Sequence, residues 1–355
     1  MKSIITSSYP IHFNTSCYTE LNTHLKASNY SKIFVLVDQN THEHCLPQFL
    51  SGLETQIHIE IIEIEAGESN KSIETCSGVW QVLSELEADR KSILINLGGG
   101  VITDLGGFVA STFKRGIAYI HVPTTLLGMV DASIGGKTGV DLGHLKNQIG
   151  VINTGKMVLI DTSFLTSLPQ NQMRSGLAEM LKHGLIFNEA YWNKFTVLET
   201  LNLDDLDQLI YESVEIKKSI VEKDPFENNE RKTLNYGHTL GHAIESYYLS
   251  NSSRITLLHG EAIAIGMILA TFISTKLSGF PFNECENIKA TILEIFGQTK
   301  IQDEDLNPII DLLKFDKKNE HGNINFVLLE AIGKPKINCL VENNILLDAF
   351  KYYNS

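Results

Sequence analysis

The stretch of sequence with the greatest capacity for chemistry is a histidine-containing segment near residue 240. It carries Asn235, His238, His242 and Glu245. Because residues three and four positions apart share one face of an α-helix, these side chains are predicted to project together and to bind a metal ion or an anion. For the two histidines alone, hydrogen bonding inside a buried helix explains the pattern as well as metal ligation does. If His238 binds a metal, His242 is placed to orient a ligand or to carry a proton.

Two further segments favour a metal site. Glu179 lies in a predicted helix with Lys182 and His183 on the same side, and His259 opens a second, apolar helix. One carboxylate and two imidazoles form a common catalytic zinc set, in which another position stays open for a substrate oxygen. The predicted metal ligands are therefore Glu179, His238 and His259.

Composition limits the partners of the protein. The 355 residues suffice for two domains, and 42 acidic against 29 basic side chains leave a formal charge of −13. This charge argues against nucleic acid or an anionic membrane as a partner. A phosphorylated substrate stays possible if the few cations are concentrated at one site. We expect a cytoplasmic protein, because the five cysteines show no disulfide or thiolate-metal spacing, the N-terminus lacks a signal-peptide core and the longest uncharged stretch, 262–275, is too short to span a bilayer.

The first half of the chain alternates short β-branched runs with amphipathic segments, which is typical of a parallel α/β sheet. A helix is predicted over 72–88, capped by Ser72. The predicted strands are 32–37, 57–64, 92–97, 119–122 and 157–160.

Beyond Pro169 helical patterns dominate, and only 324–329 has the pattern of a late strand or hairpin arm. Gly184 is predicted to end the helix that carries Glu179. The predicted helices are 174–185, 203–223, 233–248, 261–277, 284–295 and 306–313. We therefore expect an α/β N-terminal, Rossmann-like nucleotide-binding domain over 1–168 and an all-α C-terminal metal- and substrate-binding domain over 169–355.

A glycine triplet, Gly98 to Gly100, follows the predicted strand 92–97 and opens a helix. Glycines at a strand-to-helix junction let the backbone approach a pyrophosphate, and the helix N-terminus favours an anion. The triplet differs from the six-residue dinucleotide fingerprint, and an ordinary turn explains it equally well. Asp38, which closes the first predicted strand, could accept hydrogen bonds from ribose hydroxyls or cap a helix.

Lysines, threonines and glycines are dense between residues 115 and 147. A single lysine is normally solvated. Lys137 and Lys146, however, lie among glycines and apolar residues, where an ammonium group is better explained as a contact to an oxyanion or a phosphate.

From residue 38 to residue 333 the sequence resembles the 3-dehydroquinate synthase family. Each motif is weak alone, but their joint order is highly specific. The matching motifs are Gly67-Glu68-x-x-Lys71, Gly98-Gly-Gly-Val-x-x-Asp104, Arg115-Gly116, Pro123-Thr124-Thr125-Leu-Leu127, Asp131-x-Ser133-x-Gly-Gly-Lys137, Lys146-Asn147, Glu179-x-x-Lys182, Lys217, Arg231-x-x-x-Asn235-x-Gly-His238-x-x-Gly-His242-x-x-Glu245, Leu258-His259-Gly-Glu261 and Asp316-Lys317-Lys318. The chain departs from the common family pattern at Asp141, where many members carry asparagine, and in the loop 142–145.

The resemblance implies conversion of 3-deoxy-D-arabino-heptulosonate 7-phosphate to 3-dehydroquinate and phosphate, a step of the shikimate pathway. It implies transient oxidation, elimination, reduction, ring opening and aldol closure, with NAD regenerated in each turnover and a divalent metal, zinc or cobalt. It also implies a homodimer in which Arg115 reaches the site of a second subunit. By resemblance the substrate and catalytic residues are Arg115, Asp131, Lys137, Asn147, Lys182, Lys217, Arg231, Asn235, His242 and Lys317. The cofactor-binding residues are Asp38, Glu68, Lys71, Gly99, Gly100, Val101, Asp104, Thr124, Thr125, Lys137, Lys146, Phe164 and Thr166.

Three other functions share part of this pattern. Another sugar phosphate cyclase would keep the nucleotide and metal residues but differ at substrate contacts, where Lys182, Arg231, Asn235 and His242 favour the dehydroquinate type. A metal-dependent polyol dehydrogenase needs no cluster of cations around a phosphate and would release NADH. A non-catalytic dinucleotide-binding protein would be expected to lack metal or lysine positions, and the named positions are all present.

Overall fold

The computed structural model describes residues 1–143, 145–200, 203–315 and 324–355. It forms two compact units. Unit 1 comprises Met1–Met173 together with Ile210–Lys218, and unit 2 comprises Arg174–Leu209 together with Ser219–Ser355. The predicted division at residue 168 into a nucleotide-binding domain and a metal- and substrate-binding domain concerns function, and it stays a prediction.

Unit 1 is built on a mostly parallel sheet. Its strands are β1 (Ile4–Ile5), β2 (Pro10–Phe13), β3 (Ile33–Asp38), β4 (Ile59–Ile64), β5 (Ile93–Gly98), β6 (Ala118–Pro123), β7 (Lys137–Leu142), β8 (Leu145–Ile152) and β9 (Val158–Ile160). In the part of the unit that the structure describes, seven strands form the sheet in the order β1-β2-β9-β6-β5-β3-β4, and β7 and β8 form a separate antiparallel hairpin. Within the sheet β1 pairs antiparallel with β2, and the other pairs are parallel.

All five predicted strands are present, with ends shifted by at most two residues. Most lie deep in the sheet, and such strands have continuous apolar runs that are visible in a sequence. Strands β1, β2, β7 and β8 were missed, since two are very short and the hairpin mixes lysines and glycines with its apolar residues. Counted from β3, the parallel strands run in the order 2-1-3-4-5, a doubly wound order that differs from the 3-2-1-4-5-6 order of the dinucleotide fold.

The helices of unit 1 complete its core. They are α1 (Thr15–Ala27), α2 (Gln39–His44), α3 (Leu46–Ser51), α4 (Ile73–Glu85) and α5 (Gly100–Thr112). Val79 of α4 and Leu105 of α5 belong to one buried cluster with Phe34 of β3 and Leu94 of β5. The predicted start of α4 is confirmed, because the Ser72 hydroxyl accepts the backbone N–H of Thr75 at 3.2 Å.

The remaining helices dominate the second half of the chain. They are α6 (Gln170–Phe187), α7 (Glu189–Trp192), α8 (Leu203–Lys223), α9 (His238–Ser250), α10 (His259–Leu277), α11 (Phe282–Phe296), α12 (Asp303–Leu312) and α13 (Asn343–Asn354). Helix α10 is apolar and long enough to cross a membrane, but 78% of its most apolar window is buried inside the protein. The uncharged stretch 262–275 is thus part of a mostly buried helix.

Several predicted helix ends differ from the structure, and two of the differences bear on the predicted site. Helix α6 continues through Gly184, where a Cβ atom would lie 2.8 Å from Cα of Trp192, so the glycine permits close packing of α7 and does not end the helix. Helix α9 begins at His238 because Gly237 has a φ of +77°, and Glu230–Asn235 forms a separate 3₁₀ turn. Asn235 therefore does not extend the polar face of α9, as the helical spacing had predicted.

Unit 2 is not all-α. It contains an antiparallel hairpin of β10 (Phe326–Ala331) and β11 (Lys334–Cys339). The backbone N–H of Leu329 in β10 donates to Ser274 Oγ of α10 at 2.9 Å. The sequence indicated the first arm at 324–329. It missed the second arm, in which buried positions are few and two lysines flank a proline.

Candidate active site

Three elements of unit 2 bring the predicted metal ligands together. Glu179 lies in the middle of α6, while His238 and His259 are the first residues of α9 and α10. Glu179 Oε1 is 3.3 Å from Nε2 of His238 and 3.6 Å from Nε2 of His259. Glu179 is fully buried, and Oε1 has no hydrogen-bond partner among the described residues. Lys182 pairs with the other oxygen, Oε2, so a divalent cation fits the position where Oε1 faces the two imidazole nitrogens.

The second nitrogen, Nδ1, of each imidazole ring also has a hydrogen-bond partner. Nδ1 of His238 is 3.1 Å from the carbonyl oxygen of Tyr236, and Nδ1 of His259 is 3.1 Å from Oε2 of Glu245. Both acceptors require a proton on Nδ1, which leaves Nε2 with a lone pair for a metal. The ring of His242 lies beside both, with centroids 5.1 Å from His238 and 5.7 Å from His259.

Electrostatics act differently on the three candidate ligands. Burial opposes ionisation of Glu179, but Lys182 and His238 hold its pKa well below the usual range, so the carboxylate is charged. Burial and the nearby Lys182 lower the pKa of His238 and favour the neutral imidazole. Burial also lowers the pKa of His259, yet Glu245 and Glu179 outweigh it and raise that pKa to about 10. Two carboxylates therefore attract a cation to His259.

Helix α10 is fixed against α6 immediately beside the candidate ligands. The backbone N–H of Gly260 donates to Ser175 Oγ at 2.9 Å, and a Cβ atom on Gly260 would lie 2.2 Å from the carbonyl oxygen of Ser175. Ser175 is one helical turn before Glu179, and Gly260 follows His259 directly. Glycine is needed here because two backbones touch, and this contact sets the spacing between the carboxylate and the imidazole.

Helices α9 and α10 approach each other just as closely. A Cβ atom on Gly266 would lie 2.1 Å from the carbonyl oxygen of Gly237, and one on Gly241 would lie 2.6 Å from Cδ1 of Ile263. The glycines of the histidine motif thus serve helix packing. That packing places His238 at the start of one helix near His259 at the start of the other.

Two predicted substrate residues of unit 2, Lys182 and Arg231, are buried, and these two and Asn235 have partners within the protein. Lys182 is 1% exposed and forms an ion pair with Glu179. Arg231 is 2% exposed, and its Nη1 donates to the carbonyl oxygen of Pro225 at 2.6 Å. Asn235 Nδ2 donates to Glu227 Oε1 at 2.8 Å.

Asp224 shapes the loop that precedes these residues. Its carboxylate accepts backbone N–H groups of Asn228 at 3.0 Å, Asn229 at 2.7 Å and Arg231 at 3.1 Å. Burial opposes its ionisation, but these hydrogen bonds hold the pKa of Asp224 below its usual range. Sequence reasoning missed Asp224 and Glu227, and a carboxylate in a polar loop offers no signal that would have selected them.

In unit 1 the glycine triplet has the predicted strand-to-helix context. Strand β5 ends at Gly98 and α5 begins at Gly100, with Val101 in its first turn. A Cβ atom on Gly99 would lie 2.9 Å from Thr125 Cγ2. The backbone N–H of Thr124 donates to the carbonyl oxygen of Gly98 at 3.0 Å. A close-packed glycine turn at a helix N-terminus fits the pyrophosphate of a dinucleotide.

Other predicted cofactor residues have structural contacts of their own. Asp38 is the N-cap of α2, since its Oδ1 accepts the backbone N–H of Thr41 at 2.8 Å. The sequence left open whether Asp38 caps a helix, and in the structure it does. Phe164 is 2% exposed in the 3₁₀ turn Thr162–Ser167, and the hydroxyl of Thr166 donates to the carbonyl oxygen of Ser163 at 2.8 Å.

Hydrogen-bonded lysine side chains connect the turn around Glu68 and Lys71 with helix α5 and with the β7–β8 hairpin. Lys71 Nζ is 2.6 Å from Asp104 Oδ2 and donates to Asn147 Oδ1 at 2.6 Å. Lys146 Nζ is 2.6 Å from Glu68 Oε1. These five predicted residues, far apart in sequence, therefore form one polar cluster in unit 1.

Asp141, the departure from the family pattern, anchors this hairpin. Its Oδ1 accepts the backbone N–H of Asn147 at 2.6 Å, and Asn147 has a φ of +52°. Burial raises the pKa of Asp141, and Lys71 and Lys146 oppose that shift. His144, in the unusual loop, lies outside the described residues.

The remaining predicted residues are placed as follows. Lys217 of α8 belongs to unit 1, where its Nζ donates to the carbonyl oxygen of Asp131 at 2.7 Å and pairs with the Asp131 carboxylate. The sequence had assigned Lys217 to the helical domain. Lys137 is the first residue of β7. Arg115 is exposed, with a φ of +68°. Lys317 lies outside the described residues.

Comparison with known proteins decides the family. Family models of 3-dehydroquinate synthase match residues 61–175 with the N-terminal part and 176–319 with the C-terminal part. The chain belongs to the 3-dehydroquinate synthase family. The resemblance drawn from the sequence motifs is thereby confirmed. The chain is 40% identical over 337 residues to the 3-dehydroquinate synthase of Parabacteroides distasonis, covering 94% of this chain and 95% of that protein.

Solved structures of two synthases share the fold. A 2-deoxy-scyllo-inosose synthase complexed with carbaglucose-6-phosphate, NAD⁺ and Co²⁺ superposes with a TM-score of 0.85 at 24% identity, covering 99% of both chains. The 2-epi-5-epi-valiolone synthase ValA of Streptomyces hygroscopicus, with NAD⁺ and Zn²⁺ bound, gives a TM-score of 0.85 at 23% identity, covering 99% of this chain and 98% of that one.

Proposed function

We propose that this chain is a 3-dehydroquinate synthase, which converts 3-deoxy-D-arabino-heptulosonate 7-phosphate to 3-dehydroquinate and phosphate in the shikimate pathway of aromatic amino acid biosynthesis. Family membership over nearly the whole chain supports the proposal. The observation that carries it is the convergence of Glu179 Oε1 with Nε2 of His238 and His259 in a buried cluster. Because the reaction eliminates phosphate without net redox change, the enzyme is a carbon–oxygen lyase.

Glu179, His238 and His259 would hold a divalent cation, zinc or cobalt, which as a bound Lewis acid supplies polarisation of a substrate hydroxyl. Lys182, Arg231 and Asn235 bind the carboxylate and hydroxyls of the substrate. The Arg231 guanidinium is oriented in advance by its hydrogen bond to Pro225, so little freedom is lost when it pairs with a carboxylate.

Unit 1 would hold NAD, which when bound supplies reversible hydride transfer. The first turn of α5, from Gly100 and Val101, binds the pyrophosphate, while Gly99 keeps the turn free of a side chain. Asp38, Glu68, Lys71, Asp104, Thr124, Thr125, Lys146, Phe164 and Thr166 form the rest of the proposed nucleotide site.

The substrate phosphate is the proposed ligand of Lys137 and Asn147, with Lys317 of the family pattern as a third contact. The Asn147 side chain is fixed by Lys71, and its backbone is fixed by Asp141. Lys217 and Asp131 form an ion pair that a substrate hydroxyl can join without leaving either charge unpaired. His242, beside the candidate ligands, is placed to carry a proton.

The active protein is proposed to be a cytoplasmic homodimer. Arg115 is exposed, as a residue that serves a second subunit must be. Size-exclusion chromatography with light scattering tests the dimer, and mixing an Arg115→Ala chain with a chain inactivated at His259 tests the sharing. Recovery of activity in the mixed dimer is expected, and its absence would place Arg115 in its own subunit.

The decisive experiment follows phosphate release from the heptulosonate phosphate with and without NAD, and before and after chelation. We expect release to continue through many turnovers at substoichiometric NAD and to stop on chelation. Accumulation of NADH equal to product would identify a dehydrogenase instead. Turnover of a different sugar phosphate, with none of the heptulosonate, would identify another cyclase.

A further inference from the structure

The two candidate histidine ligands differ in what holds their second nitrogen. His238 Nδ1 faces a neutral acceptor, the carbonyl oxygen of Tyr236, at 3.1 Å. His259 Nδ1 faces an acidic side chain, Oε2 of Glu245, also at 3.1 Å. A carboxylate makes the bound imidazole a stronger electron donor than a carbonyl does, so the two histidines are not equivalent.

Glu245 is committed to this position by the fold. It lies seven residues after His238 on α9, which is two helical turns along the same face. Its side chain is 7% exposed, and a buried carboxylate is stable only with hydrogen bonds or a positive partner. His259 on α10 is brought to it by the close packing of α9 and α10 at Gly241 and Gly266.

We infer that Glu245 is a positioning residue of the metal centre, which fixes His259 with Nε2 directed at the metal and increases the affinity for a divalent cation. The carboxylate accepts the proton of Nδ1, so the ring cannot present Nδ1 to the metal or rotate away. Its negative charge also adds to that of Glu179, and Lys182 offsets only part of the sum. The inference rests on the proposed function, since it needs Glu179, His238 and His259 as ligands.

The test measures Zn²⁺ and Co²⁺ affinity of the purified full chain by competition with a chelator, without substrate or NAD. Glu245→Gln keeps the shape and an acceptor oxygen but removes the charge, and we expect affinity to fall about 10-fold. Glu245→Ala also removes the hydrogen bond and is expected to lose about 100-fold, the upper end of the range for such partners. Glu245→Asp keeps the charge and should recover part of the loss.

Two further variants distinguish a failure of the proposed metal site from a failure of the inference about Glu245. Glu294→Gln makes the same chemical change at an exposed position of α11 and should leave affinity unchanged. His238→Ala removes a proposed ligand. If the wild type and His238→Ala bind metal equally, the proposed metal site itself fails. If His238→Ala loses metal while Glu245→Gln and Glu245→Ala match the wild type, the inference about Glu245 is overturned.

A purely structural role for Glu245 predicts a different pattern. In that case the variants lower the melting temperature of the chelated protein while the folded fraction binds metal with wild-type affinity. Our inference expects a melting temperature near that of the wild type in Glu245→Gln, with an altered absorption spectrum of bound Co²⁺. Loss of binding as complete as in His238→Ala, with no difference between Gln, Asp and Ala, would make Glu245 a ligand and would also overturn the positioning role.

Discussion

The candidate sites of the two units are built in different ways. In unit 2 the metal-binding side chains come from α6, α9 and α10, and glycine contacts between backbones fix their spacing, as at Gly260 on Ser175. In unit 1 the candidate anion-binding cations are held by carboxylates in pairs, such as Lys71 with Asp104 and Lys146 with Glu68.

The candidate site of unit 2 depends on the geometry of its ligands, whereas that of unit 1 depends on the pairing of its charges. The backbones of the unit 2 helices set the positions of the candidate metal ligands. A small change in how these helices pack should therefore move a ligand atom by a large fraction of a metal–ligand bond length. The unit 1 cations are buried in a chain of net charge −13, where a paired cation costs less than a lone one. Substitutions in unit 2 should therefore affect metal content and stability, and those in unit 1 should affect the affinity for anionic ligands.

The largest expected effect is loss of metal from His259→Ala. Removing one of three protein ligands should reduce affinity by more than about 100-fold, since even removal of an outer partner costs 10- to 100-fold. Elemental analysis after dialysis measures it, with the exposed His58→Ala as control. Equal metal in both variants would show that α10 does not contribute a ligand.

Gly260→Ala tests the role of helix packing in unit 2. Its Cβ atom would meet the Ser175 backbone at 2.2 Å, so the helices must separate, at a cost of about 3 kcal/mol in the free energy of unfolding. Gly78→Ala in α4 is the matched control, because nothing lies within 4 Å of its Cβ position. That change should stabilise the protein by about 0.5 to 1 kcal/mol. Urea denaturation decides, and equal stability of the two variants would contradict the role of the glycine contact.

Lys137→Met tests the role of charge in unit 1. The methionine keeps the apolar stem but removes the ammonium group, so kcat/KM should fall by the equivalent of about 1.5 to 3 kcal/mol with little change in melting temperature. Steady-state phosphate release and thermal unfolding are measured together. A sharp fall in melting temperature with unchanged kcat/KM would instead make Lys137 a structural ion-pair member.

The smallest effect concerns His121 of β6, which is 4% exposed and whose Nδ1 is 3.2 Å from Asn96 Nδ2. Burial lowers the pKa of His121 from 6.5 to about 3. The unfolded chain therefore binds one more proton between those values, so stability is complete above pH 7 and falls as the solution is acidified. At pH 5.5 the loss is about 1 kcal/mol by proton linkage.

His121→Gln should remove that dependence. Urea denaturation at pH 7.5 and pH 5.5 gives the difference between wild type and variant, in which other titrating groups cancel. An identical pH dependence would mean that the pKa of His121 is the same in the folded and the unfolded chain. That result would contradict the burial of His121 as a neutral imidazole.

Several features could be predicted because they depend on neighbouring residues in the chain. The buried strands β3, β5 and β6 are continuous apolar runs, and the start of α4 follows from the capping hydroxyl of Ser72. The ligand-type residues of α9 are visible from their spacing. The start of that helix was predicted wrongly, since neither the left-handed φ of Gly237 nor its close approach to Met267 of α10 appears in the helical spacing.

By itself the sequence determined the α/β character of the first half, the helical character of most of the second and, through the order of its motifs, the family. Tertiary structure alone decided that Gly184 is a packing glycine, that Lys217 joins Asp131 in unit 1 and that Glu245 lies against His259. The physical reason is distance along the chain. Capping and periodicity act over a few residues, whereas an ion pair or a side-chain hydrogen bond between residues 86 or 14 positions apart exists only after the elements have packed.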